Sequence, residues 1–253
     1  MMITDNTIQS NDISAMPSVL RKMKLSSMAK ALEEKLNSPN CNLFAVQSEF
    51  SEIILAEFNT RRANKINKLI KDAGLKMPDA DIEDLYTDCG RSMNMDILNQ
   101  MMRCDWIKNK NNLIITGGSG SGKTWVGCAI AARACELSKK VRFYTLNSLL
   151  LYMKTLTPQE YLKEVNRIVK YDLLILDDVG FNPYDLESCR IFFEVLDARY
   201  KNGSIMFISN YTTDEWYDKF AEHAFAEAVL SRCIERSFHL PIQSEDLRKT
   251  LPK

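Results

Sequence analysis

No apolar run in this sequence approaches the ~20 residues that a bilayer-crossing helix needs, so no membrane partner is expected. Histidine is nearly absent, with only His223 and His239, and the seven cysteines (Cys41, Cys89, Cys104, Cys128, Cys135, Cys189 and Cys233) include no C-x-x-C pair. That scatter argues against a structural zinc site and suits reduced thiols. The start, MMITDNTIQSND, lacks the charged-then-apolar order of a secretory signal, so a cytoplasmic, soluble protein is expected. An excess of either charge is missing too. Lys plus Arg and Asp plus Glu number 33 each, so any surface for a polyanion must be local. There is no internal repeat and no low-complexity tract. At 253 residues, 45% hydrophobic and 26% charged, the chain has room for one large domain or a domain with an appendage.

Glycine is also scarce, yet of nine glycines four crowd into one octet: Gly117, Gly118, Gly120 and Gly122. With Ser119, Ser121, Lys123 and Thr124 they match G-x-x-x-x-G-K-[ST] in full. Leu113 to Thr116, just before, is apolar and β-branched, as a strand buried on both faces would be. Trp125 to Leu137, just after, carries small and apolar residues at helical spacing, with Ala129, Ala131, Ala132 and Ala134 favouring helix. A loop that wraps a triphosphate needs backbone N–H groups turned inward and some residues at positive φ, which glycine supplies. The following helix adds its unpaired N–H groups and the positive end of its dipole. Lys123 can reach the β- and γ-phosphates, and the Thr124 hydroxyl can ligate Mg2+. The octet in this context predicts a nucleoside triphosphate site.

Elsewhere the pattern predicts a flexible tail over 1–16, a helical N-terminal domain over 17–78, a linker over 79–95 and a larger domain over 96–253. In the helical part, Val19, Leu20, Met23, Leu25, Met28, Ala29, Leu32 and Leu36 recur at helical intervals, with a break near Ser26. A second helix from about Leu43 continues into a basic amphipathic stretch ending near Gly74. Its Arg61, Arg62, Lys65 and Lys68 form either a solvated face or a surface for DNA phosphates. Ile97 to Lys108 reads as a helix, with Trp106 a core residue or a neighbour of a nucleotide base. From Leu113 to Ile242 strands alternate with helices, which predicts a parallel sheet covered on both faces, with its ligand at the carboxyl ends of the strands. The apolar run Leu173 to Leu176 ends in Asp177 and Asp178, and Ser204 to Ser209 ends at Asn210. Asp177 can hold Mg2+ and Asp178 can orient or deprotonate an attacking water. Asn210 can sense the γ-phosphate if the strand order brings it there. A positive charge for the transition state would come from a neighbouring subunit, through Arg232 or Arg236.

With the octet, LLILDD, ISN and LSRC in hand, the chain resembles the AAA+ family, and within it the IstB/DnaC-like group of transposition helper ATPases and replicative helicase loaders. LRKMKLSSMAKALEEKL, the E-x-x-x-R-R helix (Glu57, Arg61, Arg62), LDARY and SNYTTDEW resemble IstB more closely than DnaC. The resemblance implies an AAA+ P-loop NTPase fold, a three-layer αβα sandwich with a parallel sheet, a small helical N-terminal domain and little or no C-terminal lid. It implies that Gly117 to Thr124 form the Walker A loop, Asp177 and Asp178 the Walker B pair, Asn210 sensor 1 and Arg232 the arginine finger. It further implies ATP and Mg2+ as cofactors, ATPase activity between subunits of an oligomer, double-stranded DNA bound by the N-terminal helices, and a partner transposase. A helicase loader of the DnaC type, or an ATP-gated DNA scaffold with incidental turnover, are the alternatives. The resemblance also implies that Leu149 to Lys170 corresponds to the helical insert by which the initiator group lines a DNA-binding interior. Ser119 and Trp125 depart from the family's usual proline and histidine, and Asp178 stands where many AAA+ proteins carry Glu, a shorter reach that implies slow hydrolysis.

Overall fold

A computed structural model describes residues 13–37, 43–84, 92–244 and 246. The expected tail lies outside the described residues up to position 12, as do Cys41 and Cys89. The chain forms two compact units, Met1–Lys65 and Ile66–Lys253. This division falls within the basic stretch, ahead of the linker expected over 79–95.

In the first unit a short 3-10 turn, Ile13–Ala15, leads into α1 (Met16–Lys22), where Pro17 suits the first helical turn. Lys24 at φ +60 ends that helix, and α2 (Ser26–Leu36) begins, which places the break where the sequence has it. Helix α3 (Leu43–Ala73) is continuous and supplies residues to both units. The first unit's core is Ile13, Met16, Val19, Leu20, Met23, Ala29, Leu32 and Ile54, with Phe50, Leu55 and Phe58 packed against it. Ile13 and Met16, expected in the tail, are buried there.

The second unit is built on a six-stranded sheet. Its strands are β1 (Ser92–Met93), β2 (Asn112–Gly117), β3 (Val141–Thr145), β4 (Leu173–Asp177), β5 (Ser204–Ser209) and β6 (Ser237–Gln243). They lie in the order β1-β6-β2-β5-β4-β3, parallel throughout except for β1, which pairs antiparallel with β6. That antiparallel edge lies within the expected linker and escaped the sequence pattern.

The sheet is covered on both faces, and the alternation within strands shows it. Leu113, Ile115, Leu173, Ile175, Met206 and Ile208 join one core, while Ile114, Leu174, Leu176, Ile205 and Phe207 join the other. The first core takes α4 (Met95–Met102), α5 (Asp105–Lys108) and α6 (Lys123–Glu136), and also Ala73, Leu75 and Ala80. The second takes α7 (Leu146–Lys154), α8 (Pro158–Val169), α9 (Leu186–Arg199), α10 (Thr213–Tyr217) and α11 (His223–Ile234). The single helix expected over Ile97 to Lys108 is two, because Cys104 takes φ +59 between α4 and α5. Trp106 is core: it is buried and its indole donates to the Met101 carbonyl at 3.0 Å.

Candidate functional site

Strand β2 ends at the octet because Gly117 lets the chain turn sharply beside β6. Its φ is +154, and a Cβ there would lie 2.1 Å from the Ile242 carbonyl oxygen, so any larger residue collides with backbone. Gly120 and Gly122 take φ +76 and +87, turning the loop back into α6. That helix has no side-chain cap, so its first N–H groups are available to an anion. The buried Lys123 ammonium lies within the loop, donating to the Gly118 carbonyl at 2.6 Å. A Cβ on Gly118 would meet nothing within 4 Å, so that position is open.

Helix α6 presents Thr124 toward the end of β4. Its hydroxyl donates to Asp177 Oδ2 at 3.0 Å, joining residues 53 apart in sequence. Asp177 Oδ1 accepts the Asp178 amide at 2.9 Å, and Asp178 itself sits at φ +59. Burial pushes the Asp177 carboxyl above its ordinary pKa, and the neighbouring Asp178 charge adds to this. The Asp178 amide, the Thr124 hydroxyl and Lys76 oppose the shift. Two hard oxygen donors beside a phosphate loop fit Mg2+, which keeps several waters and takes few protein ligands. Among the described residues no group of three His, Cys, Asp or Glu could form a full metal cage.

The strand order decides where Asn210 stands. Strand β5 lies between β2 and β4, so the residue just past its end falls between the glycine loop and Asp177. Arg232 lies at the opposite, amino end of the sheet. Its carbonyl accepts from the side chain of Asn112, the first residue of β2, at 3.2 Å, and six strand residues span ~20 Å. The Arg232 guanidinium bonds Asp197 at 2.7 Å and lies 4.3 Å above the Phe193 ring. Arg236, at φ +59, donates to the Asn109 carbonyl at this same end. Neither arginine can serve the loop of its own chain.

Arg61, Arg62, Lys65 and Lys68 are exposed on α3, and Arg61 bonds Glu57 at 2.6 Å and the Met23 carbonyl at 3.0 Å. Leu149 to Lys170 spans most of α7 and all of α8. Two features near the site were not read in the sequence. Lys76, just past the basic helix, places its ammonium 3.9 Å from Asp177 Oδ2. Ser209, within the ISN run, bonds the turn that follows the two aspartates. Both contacts are long-range, and no local pattern announces them.

A family model described as IstB-like ATP binding protein matches residues 18–252. The y4uH protein of Sinorhizobium fredii, named as an insertion sequence ATP-binding protein, is 27% identical over 233 residues, covering 91% of this chain and 93% of that one. Among solved structures, the DnaC helicase loader superposes with a TM-score of 0.53 at 18% identity, over 65% of this chain and 97% of that one. DnaI superposes with a TM-score of 0.55 at 16% identity, over 71% and 92%. At such identities these two show the fold alone, an AAA+ fold. The extent of the family match, taken with the sheet order and the loop geometry, places the chain in the IstB-like ATP-binding protein family of AAA+ fold.

Proposed function

We propose that the chain is an ATP-dependent helper of insertion-sequence transposition: it assembles into oligomers on double-stranded DNA, recruits a transposase, and hydrolyses ATP between subunits. The observation that carries the nucleotide part is the 3.0 Å bond between Thr124 and Asp177, which joins the octet to the end of β4. Gly117 to Thr124 cradle the phosphates, and Lys123 neutralises the β- and γ-phosphate charge. Thr124 and Asp177 hold Mg2+, which supplies charge neutralisation on the phosphates when bound. Asp178 orients the attacking water, and Asn210 holds it beside the γ-phosphate. Arg232, out of reach of its own loop, completes the site of a neighbouring subunit. Arg61, Arg62, Lys65 and Lys68 give DNA phosphates a charged row. The transposase follows from the insertion-sequence naming of relatives such as y4uH. A cytoplasmic location accords with this role, and among the described residues no helix is long and apolar enough to cross a membrane.

The test is ATPase rate and sizing chromatography with and without duplex DNA and ATP. Stimulated turnover and a large ATP-dependent assembly are expected; a monomer inert to both would overturn the reading. Co-purification separates transposition helper from helicase loader, since the first captures its transposase and the second a replicative helicase. Asp178→Asn separates motor from scaffold. If DNA assembly and transposase capture survive it unchanged, turnover is incidental.

A further inference from the structure

Ser209 closes β5 and is 1% exposed. Its Oγ donates to the Val179 carbonyl at 2.6 Å and accepts from the Tyr211 amide at 3.0 Å and the Trp216 indole at 2.9 Å. A hydroxyl has one proton and two lone pairs, so its bonding capacity is fully used. What it bonds is more telling than how much. Val179 directly follows Asp178, and Tyr211 directly follows Asn210.

The backbone around Asp178 explains why such a tie is needed. Pairing between β4 and β5 runs as far as Leu176 with Phe207. Val179 then returns to β5, its amide donating to the Ile208 carbonyl at 3.0 Å and its carbonyl accepting from Ser209. Asp178 at φ +59 is left standing out of the ladder, as an extra residue does in a bulge. A left-handed residue other than glycine persists only where its surroundings over-determine it. Trp216 backs the turn from below: it is 1% exposed, packs on Phe207, and leaves no space for a side chain at Gly180.

We propose that Ser209 is a positioning residue for hydrolysis: a single buried hydroxyl fixes the backbone beside Asp178 relative to the backbone beside Asn210, so that both meet the same water. This rests on the ATPase reading above. Ser209 makes no contact with nucleotide in this scheme and acts through its two neighbours. Its loss should slow the chemical step and leave ATP affinity alone.

The full-length chain is assayed for kcat with duplex DNA, for Kd of a fluorescent ATP analogue, and for Tm. For Ser209→Ala, kcat is expected to fall about ten- to a hundred-fold, the scale of a small misplacement of reacting groups. Kd should stay within about two-fold and Ser209→Thr, which keeps the hydroxyl, should restore most of kcat. If the Ala variant loses its fold, Ser209→Cys, of similar size but a weaker donor, carries the same expectation. A kcat near that of the unaltered chain, or an equal fall in affinity and turnover without rescue by Thr, overturns the proposal. An unaltered chain that hydrolyses no ATP overturns the ATPase reading first and this inference with it, so the two failures are told apart.

Discussion

The two ends of the second unit's sheet are made differently. At the carboxyl end, polar groups are held in tension: Asp177 is buried, Asp178 takes a left-handed backbone, and Lys123 folds onto a loop carbonyl. At the amino end, most polar groups are paired. Asn112 bonds both the Arg232 carbonyl and the Ile205 amide, at 3.2 and 3.0 Å. Arg199, 1% exposed, donates to the Ile168 and Tyr171 carbonyls at 2.6 and 3.0 Å and to the Ser204 carbonyl at 2.7 Å. Burial lowers its pKa to about 10, which leaves it charged at neutral pH. One end stitches the fold and the other gives up stability to chemistry.

The comparison breaks first, if it breaks, on the lysines and arginines. Lys123→Ala is expected to cut hydrolysis by about 10²-fold or more, the usual cost of removing a preorganised positive or donor group, with Tm nearly unchanged. A phosphate-release assay with ATP and a melting curve measure both. Arg199→Met should do the reverse. It strands the buried Ile168 and Ser204 carbonyls, costing about 3 kcal/mol. For a domain of this size that lowers Tm by about 10 °C. Gly203 confirms how tightly the guanidinium is enclosed, since a Cβ there would lie 2.4 Å from Arg199 Nη2. If Arg199→Met melts like the unaltered chain, the amino end does not stitch the fold.

A smaller effect of opposite sign is expected at Asp177. Its carboxyl pKa is raised in the folded chain, mainly by burial, so ionisation opposes folding once the pH is above the raised value. As the pH falls through that value toward the ordinary carboxylate range, the folded state takes up its proton first and the penalty fades. Asp177→Asn removes the penalty, since its amide oxygen can still accept from the Asp178 amide while its NH2 donates to the Thr124 hydroxyl, which accepts as readily as it donates. Its Tm should exceed that of the unaltered chain at neutral pH, the gap should close on acidification, and Mg2+-dependent turnover should be lost. Equal melting at all pH values would show that the site stores no strain there.

Much of this division can be read in the sequence, because the features that define it are local. The octet sits between a buried-strand run and an alanine-rich helix, and LLILDD and SIMFISN each end an apolar strand in polar residues. Both cores of the sheet follow from the same runs. What was missed depends on contacts between distant residues. The pairing of β1 with Ile242 and Gln243 involves two residues of the expected linker with no strand pattern. The helix break at Cys104 needs a positive φ that apolar periodicity does not reveal. Thr212 and Glu215, by contrast, form a capping box that starts α10 at Thr213, a signal carried by the local sequence. Arg199 reads in sequence as one more residue of an amphipathic helix. Only folding shows that it is buried among the carbonyls at the amino end, whereas Arg232 pairs at the surface.

That contrast gives the finest test, with the smallest expected change in stability. Arg232 pairs with Asp197 on the surface, their side chains 27% and 55% exposed, and such a pair is worth at most about 1 kcal/mol. Arg232→Ala should therefore leave Tm almost where it was. If the arginine works on a neighbour's loop, hydrolysis should nonetheless fall steeply. Mixing then locates the effect. A chain with Arg232→Ala keeps an intact loop, and one with Lys123→Ala keeps an intact arginine. Where the second abuts the first, a complete site forms, so a mixture of two nearly inactive proteins should recover part of the turnover in proportion to such junctions. Recovery would assign Arg232 to the partner's nucleotide. No recovery, together with a fall in Tm like that of Arg199→Met, would make Arg232 a second stitch at the amino end and leave Arg236 as the arginine offered across the interface.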